Sequence, residues 1–143
     1  MKRLFSVLLL GVIASACNAG NPESSVSTTT PTAPTATVTS ETFLGAVDVS
    51  GRSFHPFTVS LSGSQVNVNL TAAGPPSTIF MGLGVGGLAD GVCTLLTNGS
   101  IVTQASTTAQ LAGTLNAGSY CVLVYDAGNQ VAQVTYTVVV NHF

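Results

Sequence analysis

Tryptophan is absent from this chain of 143 residues, and charge is scarce: three Lys or Arg and five Asp or Glu, 6% of the sequence. Two of the three cations, Lys2 and Arg3, stand at the N-terminus, so Arg52 is the only one beyond them. Neutralising a phosphate backbone takes several Lys or Arg side chains. Nucleic-acid binding is therefore excluded, and so is polybasic attachment to an anionic membrane surface. Against Arg52 stand Glu23, Glu41, Asp48, Asp90 and Asp126, which leaves a formal charge of −4 beyond residue 16. Solvation of a folded surface falls to Ser, Thr, Asn and Gln.

The signatures of common catalytic and cofactor sites are missing too. There is no Gly-x-Ser-x-Gly elbow, no C-x-x-C pair and no dense D-x-D-x-D-G run. A serine triad needs a histidine beside a nucleophile and an acid. The only histidines are His55, which precedes Pro56, and His142, beside the terminal residue; both are expected at the surface. Paired-carboxylate hydrolysis needs two acids facing across a cleft, and Asp48, Asp90 and Asp126 fall near strand ends. The chain reads as a non-enzyme, with an envelope hydrolase as the alternative of a different class.

What is present starts with Met1-Lys2-Arg3, an apolar run Leu4–Ile13 and the small residues Ala14-Ser15-Ala16, followed by Cys17. The run is far shorter than the roughly 20 residues a transmembrane helix needs. It is the core of a secretory signal, residues 1–16. Ala14-Ser15-Ala16 also fits ordinary A-x-A cleavage, in which case Cys17 is merely the first mature residue. The pattern resembles the lipobox of bacterial lipoproteins. That resemblance implies a diacylglycerol thioether on Cys17 and an N-linked acyl chain such as palmitate. Two or three chains anchor stably where one is marginal. The membrane would then be the first partner. Asn18, in place of an aspartate retention signal, points to the outer membrane.

Residues 17–40 continue as a Ser/Thr/Pro block with Pro22, Pro31 and Pro34, and Val26 is its one apolar side chain larger than alanine before Val38. Such a segment buries too little to offset its ordering entropy. It is expected to be a disordered tether. Of three cysteines, Cys93 and Cys121 remain after Cys17. In an exported protein the simplest reading is a disulfide, stabilising by roughly 3–4 kcal/mol. A metal site would need further ligands, and two inert thiols are the plainest alternative.

From Thr42 onward short runs of Val, Ile, Thr, Phe and Tyr are broken every 8–12 residues by Gly, Asn, Asp or Pro, the punctuation of an all-β domain. Eight strands are predicted: 42–49, 54–61, 65–71, 78–85, 101–104, 110–115, 120–125 and 131–140. Val66, Val68 and Leu70 alternate with Asn67 and Asn69, and Val134, Tyr136, Val138 and Val140 share a face. Tyr120–Tyr125 is apolar on both faces, as a central strand is. The expected fold is a single antiparallel β-sandwich, jelly-roll-like, over residues 41–143.

Four stretches carry a resemblance: Phe57-Thr-Val-Ser-Leu, Gly63-Ser-Gln-Val-Asn-Val-Asn-Leu, Gly118-Ser-Tyr-Cys-Val-Leu-Val-Tyr-Asp and Tyr136-Thr-Val-Val-Val. In that order they resemble the bacterial pre-peptidase C-terminal domain, a small jelly-roll-like sandwich of secreted proteins. Ile79-Phe80-Met81-Gly82-Leu83 stands where that family commonly has an aspartate-containing DLYL strand. The resemblance implies an accessory module, not a catalyst, in a family some of whose members bind calcium.

Three candidate sites remain. Gly82-Leu-Gly-Val-Gly-Gly87 formally matches G-x-G-x-x-G, but a turn-like Leu88-Ala-Asp-Gly91 follows it where a helix is needed, and no nucleotide is expected. Its glycines instead suit close packing of a ring or another backbone. Asp90, Asp126 and Asn129 lie near Cys93 and Cys121, so a disulfide would draw them together as a weak calcium site; otherwise they are two ordinary turns. Calcium aside, no cofactor is expected. Phe54, Phe57, Phe80, Tyr120, Tyr125 and Tyr136 include candidates for a sugar-stacking platform, but most sit on core-like strands. The leading expectation is a lipid-anchored accessory module that binds an envelope protein or glycan, with peptidoglycan attachment as the narrower alternative.

Overall fold

The computed structural model describes residues 36–143. The signal peptide, the Cys17 lipid site and most of the tether lie outside the described residues. The described residues form eight strands and no helix: β1 (Thr39–Val47), β2 (Arg52–Val59), β3 (Ser64–Gly74), β4 (Met81–Ala89), β5 (Val92–Thr103), β6 (Leu111–Leu115), β7 (Gly118–Asp126) and β8 (Val134–His142).

They pair antiparallel in two four-stranded sheets ordered β1-β8-β3-β6 and β2-β7-β4-β5. Every connection crosses between sheets except the β4–β5 hairpin. This is the jelly-roll order, and it bears out the expected sandwich. Alternation fixes which face of each strand turns inward. Val66, Val68 and Leu70 of β3 and Val134, Tyr136, Val138 and Val140 of β8 pack against Met81, Leu83 and Val85 of β4 and Val122 and Val124 of β7. Each such aliphatic side chain contributes about 1.5–3 kcal/mol on full burial. β7 lies between β2 and β4, with Cys121–Val124 buried on both faces, as its apolar run requires.

Most boundaries move by a few residues, and four starts are instructive. Thr39 and Ser40, expected as the end of the tether, open β1 by pairing with His142 and Asn141. β4 starts at Met81, because Pro75 and Pro76 lack the N–H that a ladder uses and residues 75–80 carry the chain across to the other sheet. β8 starts at Val134, and Val131, expected as strand, is exposed on the preceding loop. β5 starts at Val92 and runs through the Asn98-Gly99 turn. Gly84 pairs with Ser100 but Gly86 with Leu95, so Leu96–Gly99 bulges out opposite Val85. Asn98, at φ 58°, takes the left-handed turn within it.

The strand directions define two ends. One carries the β1–β2 turn, the β3–β4 connection and the β7–β8 loop. The other carries the start of β1, the β4–β5 turn and the C-terminus.

Candidate functional site

Cys93 and Cys121 are joined by a 2.01 Å S–S bond. The bridge ties β5 to β7 over β4, where Cys121 opposes Gly86 and Cys93 opposes Leu88. A Cβ on Gly86 would come within 2.9 Å of Cys121 Sγ and 2.6 Å of the Thr94 carbonyl oxygen, so only glycine fits beneath it. The Tyr125 ring lies in the same way on Gly82, and the Leu95 side chain on Gly84. The glycine run is thus the outer face of a central strand, packed by a ring, a leucine and a disulfide. A hairpin follows it where a nucleotide fold requires a helix.

The three proposed calcium ligands do not meet. Asp90 sits in the β4–β5 turn, whereas Asp126 opposes Met81 at the other end of β4. The spacing of eight residues along the strand is about 26 Å. The expectation failed because β7 runs antiparallel to β4: five residues onward from Cys121 lead away from Asp90. Asn129 is close to Asp126, but through its backbone. Asp126 Oδ1 accepts N–H bonds from Gly128 (2.7 Å), Asn129 (3.1 Å) and Gln130 (3.3 Å), and Oδ2 accepts one from Ser50 (2.8 Å). Foremost the Ser50 N–H, and with it those of Gly128, Gln130 and Asn129, hold the Asp126 carboxyl below its ordinary range, outweighing a desolvation that opposes them. Its lone pairs serve the loop. Among the described residues, no three His, Cys, Asp or Glu side chains gather in a metal-holding group.

Asp126 therefore clamps the loop end. Gln130 is buried, and with its amide nitrogen turned to β1, the orientation that satisfies both amide atoms, it donates to the Asp48 and Val47 carbonyls at 3.1 and 3.3 Å. The Gln133 amide donates to Asp48 Oδ1 at 2.7 Å. Between these fixed points Val131 stands 96% exposed. It borders a shallow hollow of about 250 Å³ with Pro75, Pro76 and Ile79. Val49 and Phe80, 49% and 48% exposed, add apolar surface at the same end.

Both histidines turn inward, against the expected surface positions: His142 is buried and His55 is half-buried. His55 is an inward position of β2, where its ring stacks on Phe43 with centroids 4.9 Å apart and Nε2 lies 2.9 Å from the Tyr136 hydroxyl. That hydroxyl donates to Ser53 Oγ at 2.9 Å. Burial pushes the His55 pKa down and the Tyr136 pKa up. Among the described residues no acid hydrogen-bonds to this chain of groups, and Tyr136 is 3% exposed. His142 continues the inward series of Val138 and Val140 and pairs with Glu41 at 2.8 Å. Strand parity outweighs nearness to the terminus.

The aromatics do not make a shared platform. Phe57 and Tyr136 are core, Tyr120 packs beside Phe57, and Tyr125 covers Gly82. Phe54 is partly exposed on β2 and Phe80 on the β3–β4 connection.

A second hollow, about 260 Å³, opens between the sheets where β5 and β6 form neighbouring edges. Its floor is Val66, Val68 and Val85, its walls are Leu111–Leu115 and the Leu96–Gly99 bulge, and no charged side chain lines it.

No protein-family model matches this chain, and no curated protein does. Among solved structures it is similar to PliG of Aeromonas hydrophila, a periplasmic lysozyme inhibitor of g-type lysozyme, at 19% identity and a TM-score of 0.47 over 73% of this chain and 86% of that one. It is also similar to PliG of Salmonella Typhimurium, a periplasmic inhibitor of the same lysozyme type, at 16% identity and a TM-score of 0.46 over 73% and 87%. No partner or activity is carried over from either.

Sequence reasoning passed over Gln130, Val131 and Gln133. The signal was there in part: an aspartate followed by Ala-Gly-Asn at a strand end marks a side chain bonding the backbone ahead of it. It passed over Gly113 as well, which alternates with Leu111 and Leu115 at inward parity.

Proposed function

We propose that this chain is an exported envelope protein, held to the outer membrane by lipid on Cys17, whose β-sandwich is a non-catalytic module that docks a partner protein with its loop end. The observation that carries this reading is Val131, 96% exposed on a loop fixed by Asp126, Gln130 and Gln133. An apolar side chain in water adds nothing to the fold. Held rigid, it gives up little freedom when a partner covers it, which is where affinity is otherwise lost. Position supports the same reading. The chain leading back to Cys17 joins β1 at Thr39, and the loops lie beyond Val47 at the other end of that strand. The resemblance of residues 43–140 to accessory modules of secreted proteins agrees with it.

Two measurements test the proposal. Metabolic labelling with a clickable fatty acid should mark the wild-type chain and not Cys17→Ser; a labelled Cys17→Ser protein refutes the anchor. A photo-crosslinking residue at position 131 should join one envelope protein in living cells, while the same group at Leu44, exposed on the outer face of β1, should not. Val131→Lys should then weaken binding to that purified protein at least ten-fold with an unchanged melting temperature. Equal crosslinking from both positions, or unchanged affinity, rejects the loop end as the contact surface.

A further inference from the structure

The hollow beside β6 is left open at Gly113. Gly113 opposes Val66 in the β3–β6 ladder, and Leu111 opposes Val68. Opposed residues point to the same face, so all three β6 positions Leu111, Gly113 and Leu115 turn inward. Leu111 and Leu115 pack against the core. Gly113 has no side chain to offer, and a Cβ built there would meet no atom within 4 Å. Its φ lies outside the left-handed region that favours glycine, so the backbone does not require glycine. A glycine inside a strand is about 0.5–1 kcal/mol less favourable than alanine, and here it also leaves apolar surface unburied. A side chain at position 113 would fill part of the hollow without backbone strain or steric clash.

We propose that this hollow is a binding slot for an uncharged straight-chain aliphatic group. Its size, about 260 Å³, exceeds the roughly 150 Å³ that holds a benzene ring in an apolar cavity. Its shape is a groove along β6 from Leu111 to Leu115, about 13 Å of strand, which suits a chain better than a ring. Its floor of three valines is aliphatic, and Thr97 and Asn98 at its border offer hydrogen bonds to a hydroxyl or ester end. A carboxylate or phosphate would find no cation. Arg52, the one Lys or Arg among the described residues, lies on β2, the opposite edge of the sheet from β5, and a charge left unpaired against apolar surface is strongly disfavoured. The slot is separate from the loop end, so it stands or falls independently of the docking reading.

The test uses the full chain carrying Cys17→Ser, so that no acyl anchor competes, titrated with 1-butanol, 1-hexanol and 1-octanol and followed by amide NMR shifts. Saturable shifts should appear at Leu96–Gly99 and Leu111–Leu115, with Kd falling about four-fold for each added methylene until the slot is full. Hexanoate should bind at least ten-fold more weakly than 1-hexanol. Gly113→Leu should abolish the saturable shifts and raise the melting temperature. If that variant does not fold, Gly113→Ala should fold and weaken octanol binding. Non-saturating shifts, shifts that persist in a folded Gly113 variant, or hexanoate binding as tight as hexanol would overturn the proposal.

Discussion

Gly45→Ala is a one-carbon change with a large expected effect. Gly45 opposes Tyr136 across the β1–β8 ladder. An added Cβ would stand 2.6 Å from the tyrosine Cζ and 2.9 Å from Cε1, and nearer still to the hydroxyl oxygen. The ring has little freedom to retreat, since it is buried and its hydroxyl is held by His55 and Ser53. Overpacking of a filled interior costs about 1–3 kcal/mol. Displacing the hydroxyl from its two partners adds about 1 kcal/mol for each bond. The sum is roughly 3–5 kcal/mol, a large part of the 5–15 kcal/mol that stabilises an ordinary domain. Urea unfolding reads it directly, followed by far-UV circular dichroism because the chain has no tryptophan. Gly87→Ala, where a Cβ meets nothing within 4 Å, is the control and should stay within about 0.5 kcal/mol of wild type. In a Tyr136→Leu background the Gly45→Ala penalty should shrink, giving a coupling of about 1–2 kcal/mol in the double-mutant cycle. A Gly45→Ala protein as stable as the control, or a penalty unchanged by Tyr136→Leu, would refute the reasoning.

Two further perturbations report on other parts of the fold. Burial lowers the His55 pKa below its ordinary 6.5, so below that pH the unfolded chain binds more protons than the folded one. The stability due to neutral His55 is complete above pH 6.5, falls as pH drops through 6.5 towards the folded-state pKa, and levels off below it. His55→Gln should flatten that segment of the stability–pH curve, and an unchanged slope counts against the assignment. Replacing both Cys93 and Cys121 by alanine should cost about 3.6 kcal/mol from loop entropy at a sequence separation of 28. A shift in urea midpoint equivalent to less than 1 kcal/mol would show that the bridge does not restrain the unfolded chain in this way.

Strand existence was legible wherever alternation was clean. Val134, Tyr136, Val138 and Val140 read as one face and are one face. The glycines of β4 were readable as a packing surface because alternation puts Met81, Leu83 and Val85 on one face and Gly82, Gly84 and Gly86 on the other. Asn98-Gly99 shows where local information ends. The pair specifies a left-handed residue, and Asn98 has one, but whether such a residue ends a strand or bulges from it depends on the partner strand. The calcium site failed for the same reason, since nearness in sequence to two bridged cysteines says nothing about which way each strand then runs. Val131 was taken for strand because valine favours strands; the Asp126 clamp, a feature of side chain meeting backbone, holds it on a loop instead. Gly113 was invisible for a different reason: a missing side chain becomes a cavity only once the facing sheet is in place.

The placement of Thr39 at one end of β1 and the β1–β2 and β7–β8 loops at the other has a mechanical side. β1 is an edge strand whose neighbour in the sheet is β8, paired from Thr39–His142 to Val47–Val134. A pull on the chain before Thr39, with the load held at the loop end, acts along the strand and across its hydrogen bonds, which in an antiparallel pair lie perpendicular to it. All nine paired positions then bear the force together in shear. The opposite attachment, through the Val47 end, would peel the strand off one bond at a time. Under the proposed lipid anchor, a pull entering at Thr39 would load the sandwich in its stronger direction.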